Sequence, residues 1–134
     1  MRNLERLLVE FVRNVGASEA AISECEKQLG RPLPKDYLGF MRINNGGEGF
    51  VGANSYLRLW KVEELLATNE GYETAIHLPE CLLFGTDGAD EAFAFDLRAS
   101  QTKIVQFPFL DMYWESARLL SDSFDGFLLH LYKA

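Results

Sequence analysis

The chain has 134 residues, 48% hydrophobic and 13% aromatic, with 20 acids against 13 bases for a formal net charge of −7. That length suits one domain able to bury roughly two-thirds of its unfolded surface, and the composition excludes a disordered chain. No window approaches the ~18 apolar residues of a membrane span, and charges interrupt the start from Met1 to Arg6 where a secretory leader needs an apolar run, so a cytoplasmic protein is expected.

Leu4, Leu7, Leu8, Phe11, Val12 and Val15 recur at helical spacing, and Gly16 follows them, which predicts a first amphipathic helix. Ser18 is a good N-cap for a second, with Ala21, Ile22, Cys25 and Leu29 as its apolar stripe and Gly30 as its stop. Leu33-Pro34 sets an extended entry into a third, where Tyr37, Phe40, Met41 and Asn44 share a face before Asn45-Gly46-Gly47 ends it. Three helices in the first 44 residues would make one compact unit.

After Gly47 the pattern alternates. Residues 48–53 and 56–60 read as strands of a hairpin turned at Asn54-Ser55. Val62, Leu65 and Leu66 open a short helix closed by Gly71, and residues 72–80, with Pro79, read as irregular or edge structure. Strands follow at Leu82-Leu83-Phe84, residues 92–95 and residues 103–107, joined by connections too short for a crossover helix and therefore antiparallel. Pro108 ends the last of these, an aromatic-rich loop spans 109–115, and Ser116 to Leu120 suits one more short strand. Ser121 or Ser123 caps a final helix whose apolar face is Phe124, Phe127, Leu128, Leu131 and Tyr132, with His130 exposed beside it. The expected fold is α+β: a single domain with a largely antiparallel sheet packed by N-terminal helices and a C-terminal helix.

The acid excess is unevenly placed. Residues 1–50 hold seven acids and seven bases, whereas Val62 to Leu97 holds nine acids and neither lysine nor arginine. Such a field repels nucleic acid and anionic membrane and attracts basic partners; it equally serves solubility.

Motifs that would carry chemistry fail on context. Gly47-Glu48-Gly49-Phe50-Val51-Gly52 spells a dinucleotide fingerprint, but that fingerprint needs a strand before it and a helix after it, and the reverse is predicted here, so no cofactor is expected. Asp87, Asp90, Glu91 and Asp96 do not match the spacing of a calcium loop, and Asp87-Gly88 is a good turn dipeptide whose flanking acids point to solvent. His77 and His130 have no cysteine or histidine within four residues, which sets zinc aside. Cys81 lies near His77 but is read as the buried start of a strand, and Cys25 and Cys81 as reduced buried thiols in preference to a disulfide. Trp60, Phe107, Phe109, Tyr113 and Trp114 either cover one end of the sheet or form an exposed sticky loop.

The order and spacing of several short motifs resemble the SUKH superfamily, which includes bacterial toxin-immunity proteins and the yeast regulator of cell-wall assembly. They are Ile22 and Glu26 with Leu29-Gly30, Leu33-Pro34-x-x-Tyr37, Asn45-Gly46-Gly47, Leu82-Leu83-Phe84-Gly85 and Asp87-Gly88. Phe93-x-Phe95-Asp96-Leu97 and Ser123-Phe124 with Phe127-Leu128 complete the set, so the likeness runs from about residue 18 to the end. Asp90 departs from it, since many relatives carry a second glycine in that turn. The resemblance implies a non-enzymatic domain that binds protein, most often an immunity protein neutralising a basic toxin of the nuclease or deaminase class. A regulatory or scaffolding module for a host protein is the alternative. Under the first reading Glu63, Glu64, Glu70, Glu73, Asp87, Asp90 and Glu91 contribute to the partner-binding surface.

Overall fold

The computed structural model describes residues 4–134; Arg2, one of the charges that interrupt the start of the chain, lies outside the described residues. Seven antiparallel strands follow one another across a single sheet in chain order: β1 (Phe11–Arg13), β2 (Gly47–Val51), β3 (Ser55–Leu59), β4 (Cys81–Thr86), β5 (Glu91–Asp96), β6 (Lys103–Pro108) and β7 (Arg118–Ser121). The helices are α1 (Glu19–Leu29), α2 (Lys35–Ile43), α3 (Leu65–Gly71), α4 (Thr74–His77) and α5 (Phe124–Lys133). The architecture is α+β.

The continuous apolar runs of the central strands are explained by burial on both faces. Leu82, Phe84, Phe93, Phe95 and Ile104 point into the larger core, with α1, α2 and α5. Their neighbours Cys81, Leu83, Ala92, Ala94, Val105 and Phe107 point the other way, into a smaller cluster closed by Leu78, Trp60, Phe109, Met112 and Trp114. Aromatic rings dominate the first core: Tyr37 meets Phe95 edge-on at 5.0 Å and Phe124 at 5.3 Å, and Phe84 stacks on Phe95 at 4.4 Å.

Helix ends are held by polar groups that the sequence places well. Ser18 Oγ accepts from the Ala21 amide, and Gly30 closes α1 in the left-handed conformation. Glu26 accepts from the Leu33 amide at 2.7 Å, which ties the end of α1 to the turn leading into α2. Of the two serines proposed as the last cap it is Ser123 that bonds the Gly126 amide, while Asp36 on α2 accepts from the Phe124 amide at 2.7 Å. These bonds satisfy the orphan donors at the start of α5 and fix it against α2.

Tyr37 is an exception to this satisfaction. It is fully buried, and among the described residues its hydroxyl finds no hydrogen-bond partner. Burial pushes the phenol well above its ordinary pKa. Because a buried unpaired hydroxyl costs free energy, Tyr37→Phe is expected to leave stability unchanged or raise it by about 1 kcal/mol in urea unfolding. A loss of similar size would show that the hydroxyl is bonded in solution.

Two expectations are corrected. The first helix does not form: residues 5–7 make one 3-10 turn and residues 11–13 become β1, so among the described residues two α-helices, not three, precede β2. Leu4, Leu7, Leu8 and Phe11 are buried as the stripe required, but Val12 and Val15 remain 72% and 90% exposed. Tertiary pairing overrides a modest helical pattern because β2 provides an edge of glycines. A Cβ on Gly47 would lie 2.2 Å from the Val12 carbonyl oxygen, and one on Gly49 would lie 2.4 Å from that of Glu10. The glycine-rich run is thus a close-packing device, and its third member, Gly52, lies against the backbone of Tyr132. Within residues 72–80, read as irregular or edge structure, the structure forms the single turn of α4. It is pinned by Thr74, whose hydroxyl donates to Asn69 at 3.3 Å, and by the burial of Leu78.

Asn69 also repairs the sheet. Strands β3 and β4 pair at Arg58 with Thr86 and Leu59 with Gly85, after which β3 ends and one further bond runs from the Trp60 amide to the Phe84 carbonyl at 3.2 Å. Along the edge of β4 that β3 leaves unpaired, Asn69 Oδ1 accepts from the Leu83 amide at 2.8 Å and its Nδ2 donates to the Leu83 carbonyl at 2.9 Å. One helical side chain thereby takes the place of a strand.

Candidate partner-binding surface

The seven proposed acids differ in how far their carboxylates are engaged by the fold. Glu63 accepts from Asn45 Nδ2 at 2.7 Å, a bond that holds its carboxyl below the usual carboxylate range. Glu64 accepts from the Lys61 amide at 2.9 Å, closing the turn before α3. Asp87 accepts from the amides of Ala89 at 2.9 Å and Glu91 at 3.0 Å, so it shapes the β4–β5 turn, and Glu91 accepts from Gln106 at 2.8 Å. Glu70, Glu73 and Asp90 are exposed, and among the described residues their carboxylates make no hydrogen bond or ion pair. These three are the acids most free to meet a partner.

Glu70 and Glu73 border a groove of about 810 Å³ between the end of α1, the α3–α4 segment and the start of β4. Its apolar lining includes Leu29, Leu66, Ile76, Leu82 and Leu97, and Glu80 completes an acidic rim. Among the described residues Arg31 is the single lysine or arginine on the lining, and its Nη1 donates to the Leu97 carbonyl at 3.2 Å. Glu73 and Glu80 have φ of 55° and 64° and are the two described non-glycine residues with positive φ. Side chains with a Cβ adopt that conformation at a cost, and such strain gathers at functional positions. Nothing in a glutamate codon string announces it, so sequence reasoning passed over Glu80 and the exposed Ile76.

The aromatic residues divide between the two roles left open. Phe107 is buried, and Trp114 packs edge-on against it at 5.6 Å with the Arg98 guanidinium 3.6 Å above the indole. These two cover the smaller core. Tyr113 and Leu110 stay exposed, and a half-exposed Tyr72 stacks on Phe109 at 5.1 Å.

Cys81 sits at the buried start of β4, as expected, and desolvation pushes its thiol pKa up to about 12. His77 is exposed on α4. A thiol so reluctant to ionise is a poor nucleophile. Cys25 is likewise free and buried, and its pKa is raised by burial. The glycine-rich run lies between α2 and β3 and itself forms a strand, so a helix precedes these glycines and a strand, not a helix, follows them. Among the described residues no three metal-ligating side chains come together, and no helix is long and apolar enough to cross a membrane.

No curated protein matches the chain. The family model described as SMI1 / KNR4 family (SUKH-1) matches residues 16–130, from the turn before α1 into α5. That span contains every motif on which the resemblance was drawn up to Leu128, together with both layers over the sheet. The chain therefore belongs to the SMI1/KNR4 (SUKH-1) family.

Proposed function

We propose that this protein works by binding another protein, without catalysing a reaction, as an immunity protein that neutralises a basic toxin domain of the nuclease or deaminase class. The observation that carries the reading is the stretch from Val62 to Leu97, which holds nine acids and neither lysine nor arginine. Its free carboxylates Glu70, Glu73 and Asp90 stand on the surface. Enzymes that handle nucleic acid present basic grooves, and an acidic inhibitor is both attracted to such a groove and a substitute for its substrate. Of the seven acids, Glu70, Glu73 and Asp90 are assigned the main part, with Glu63, Glu64, Asp87 and Glu91 contributing field while serving the fold. Two free thiols suit a reducing cytoplasm as the place of action.

The test is co-purification and stopped-flow association with the toxin domain encoded beside this gene. The triple variant Glu70→Lys, Glu73→Lys, Asp90→Lys is expected to associate at least ten times more slowly at low salt and to lose most of its salt dependence. An unchanged rate removes the electrostatic part of the reading. A chain whose neighbouring genes encode no toxin, and which binds a host protein instead, would be a regulatory or scaffolding member of the family.

A further inference from the structure

We propose that the groove between α1, the α3–α4 segment and β4 docks a partner segment carrying apolar side chains between lysines or arginines. The proposal rests on the protein-binding reading above and names where the contact is made and by what chemistry. Three observations meet at this groove. Its floor is apolar, with Leu82 and Leu97 buried and Leu29 and Leu66 partly exposed, and Ile76 stands 69% exposed on its wall. Its rim carries Glu70, Glu73 and Glu80, while the guanidinium of Arg31 is turned to the Leu97 carbonyl. Two of the three rim glutamates occupy left-handed backbone, where glycine or asparagine would be relaxed.

The three features select one kind of occupant. The apolar surface that Leu29, Leu66 and Ile76 leave open to solvent gains free energy only when another apolar group covers it. The rim rejects nucleic acid and acidic protein, and accepts cations placed a few ångströms either side of the buried group. A groove of about 810 Å³ has room for a few side chains, so an extended or helical segment suits it better than a small ion. Carboxylates held in strained backbone at this rim have a reason to be there if they meet those cations. The Glu80 carbonyl accepts from the Leu97 amide at 2.9 Å, so the strained residue also fixes the floor beside it.

The probe is a fluorescent peptide in which two leucines are flanked on each side by three lysines, compared with the same peptide carrying glycines for the leucines. Fluorescence anisotropy with the full chain is expected to give at least ten-fold tighter binding of the leucine peptide. Ile76→Asp alters an exposed position and adds a negative charge. It should weaken the leucine peptide ten-fold or more without weakening the glycine peptide, whereas Glu73→Lys should weaken both. Glu80→Gly is expected to raise the urea midpoint by releasing strain while weakening both peptides. Equal binding of the two peptides, no detectable binding of either, or indifference of the leucine peptide to Ile76→Asp would overturn the groove. In those events toxin association that still falls with the triple charge reversal leaves the broader acidic-surface reading standing, so the two ideas fail separately.

Discussion

Asn69→Leu is expected to cost the folded protein about 3 kcal/mol and to lower the thermal midpoint by roughly 10 °C. Leucine matches asparagine closely in shape, so the loss is not one of packing. Asn69 is 6% exposed and bonds both backbone groups of Leu83, and its Nδ2 also donates to the Leu65 carbonyl at 2.7 Å. Removing it strands a buried amide and a buried carbonyl on β4, each of which carries a desolvation cost of about 1–3 kcal/mol when unpaired. Urea unfolding followed by tryptophan fluorescence measures the effect. A loss below 1 kcal/mol would mean that water or a shifted strand takes over the edge. Asn69→Asp separates donor from acceptor: it keeps the bond from the Leu83 amide but sets a carboxylate against two carbonyl oxygens. Its folded-state pKa must then be raised, so its deficit relative to the parent is smallest at acid pH and widens as pH rises through that pKa.

The helix-to-strand bracket made by Asn69 was not legible in the sequence, and the reason applies to every expectation that failed. Strong periodic segments were read correctly because their signal is local: Ile22 and Cys25, the face Tyr37, Phe40 and Met41, and the run Phe124, Phe127, Leu128 and Leu131 are all buried, and Leu29 packs against the same core while partly exposed. The continuous apolar runs at 82–84 and 92–95 were placed as strands, and their burial on two faces follows from that. What failed depends on a distant partner. Residues 4–15 have a helical stripe, yet β2 decides their fate from more than thirty positions away. The same holds for the surface. Nine acids could be counted, but which carboxylates are spent on Asn45, on the Lys61 amide or on the β4–β5 turn is known only once those groups are brought beside them. The left-handed backbone at Glu73 and Glu80 is likewise imposed by the chain on either side, since glutamate has no preference for it.

Gly49→Val is the sharpest test of the glycine edge, because it strikes the one segment where local pattern and tertiary pairing disagree. Gly49 has φ of 151°, and a Cβ there would lie 2.4 Å from the Glu10 carbonyl oxygen and 2.9 Å from the Phe11 Cα. Neither atom is the end of a flexible side chain, so β1 must move away from β2. Phe11, 5% exposed, leaves the core with it, and burial of a phenylalanine alone is worth about 3 kcal/mol. A loss of about 3 kcal/mol or more is therefore expected, with backbone amides of residues 11–13 and 47–49 exchanging before those of β4 and β5. Gly39→Ala supplies the contrast. Gly39 lies inside α2, and a Cβ on it meets nothing within 4 Å. There the added methyl group only restrains the unfolded chain and favours the helix, so stability should rise by up to about 1 kcal/mol. Substitution of glycine by a larger residue thus has opposite signs at two sites only ten positions apart. If Gly49→Val also proved neutral, with the amides of residues 11–13 still protected, β1 would not be held by close approach to β2, and the glycine run would need another explanation.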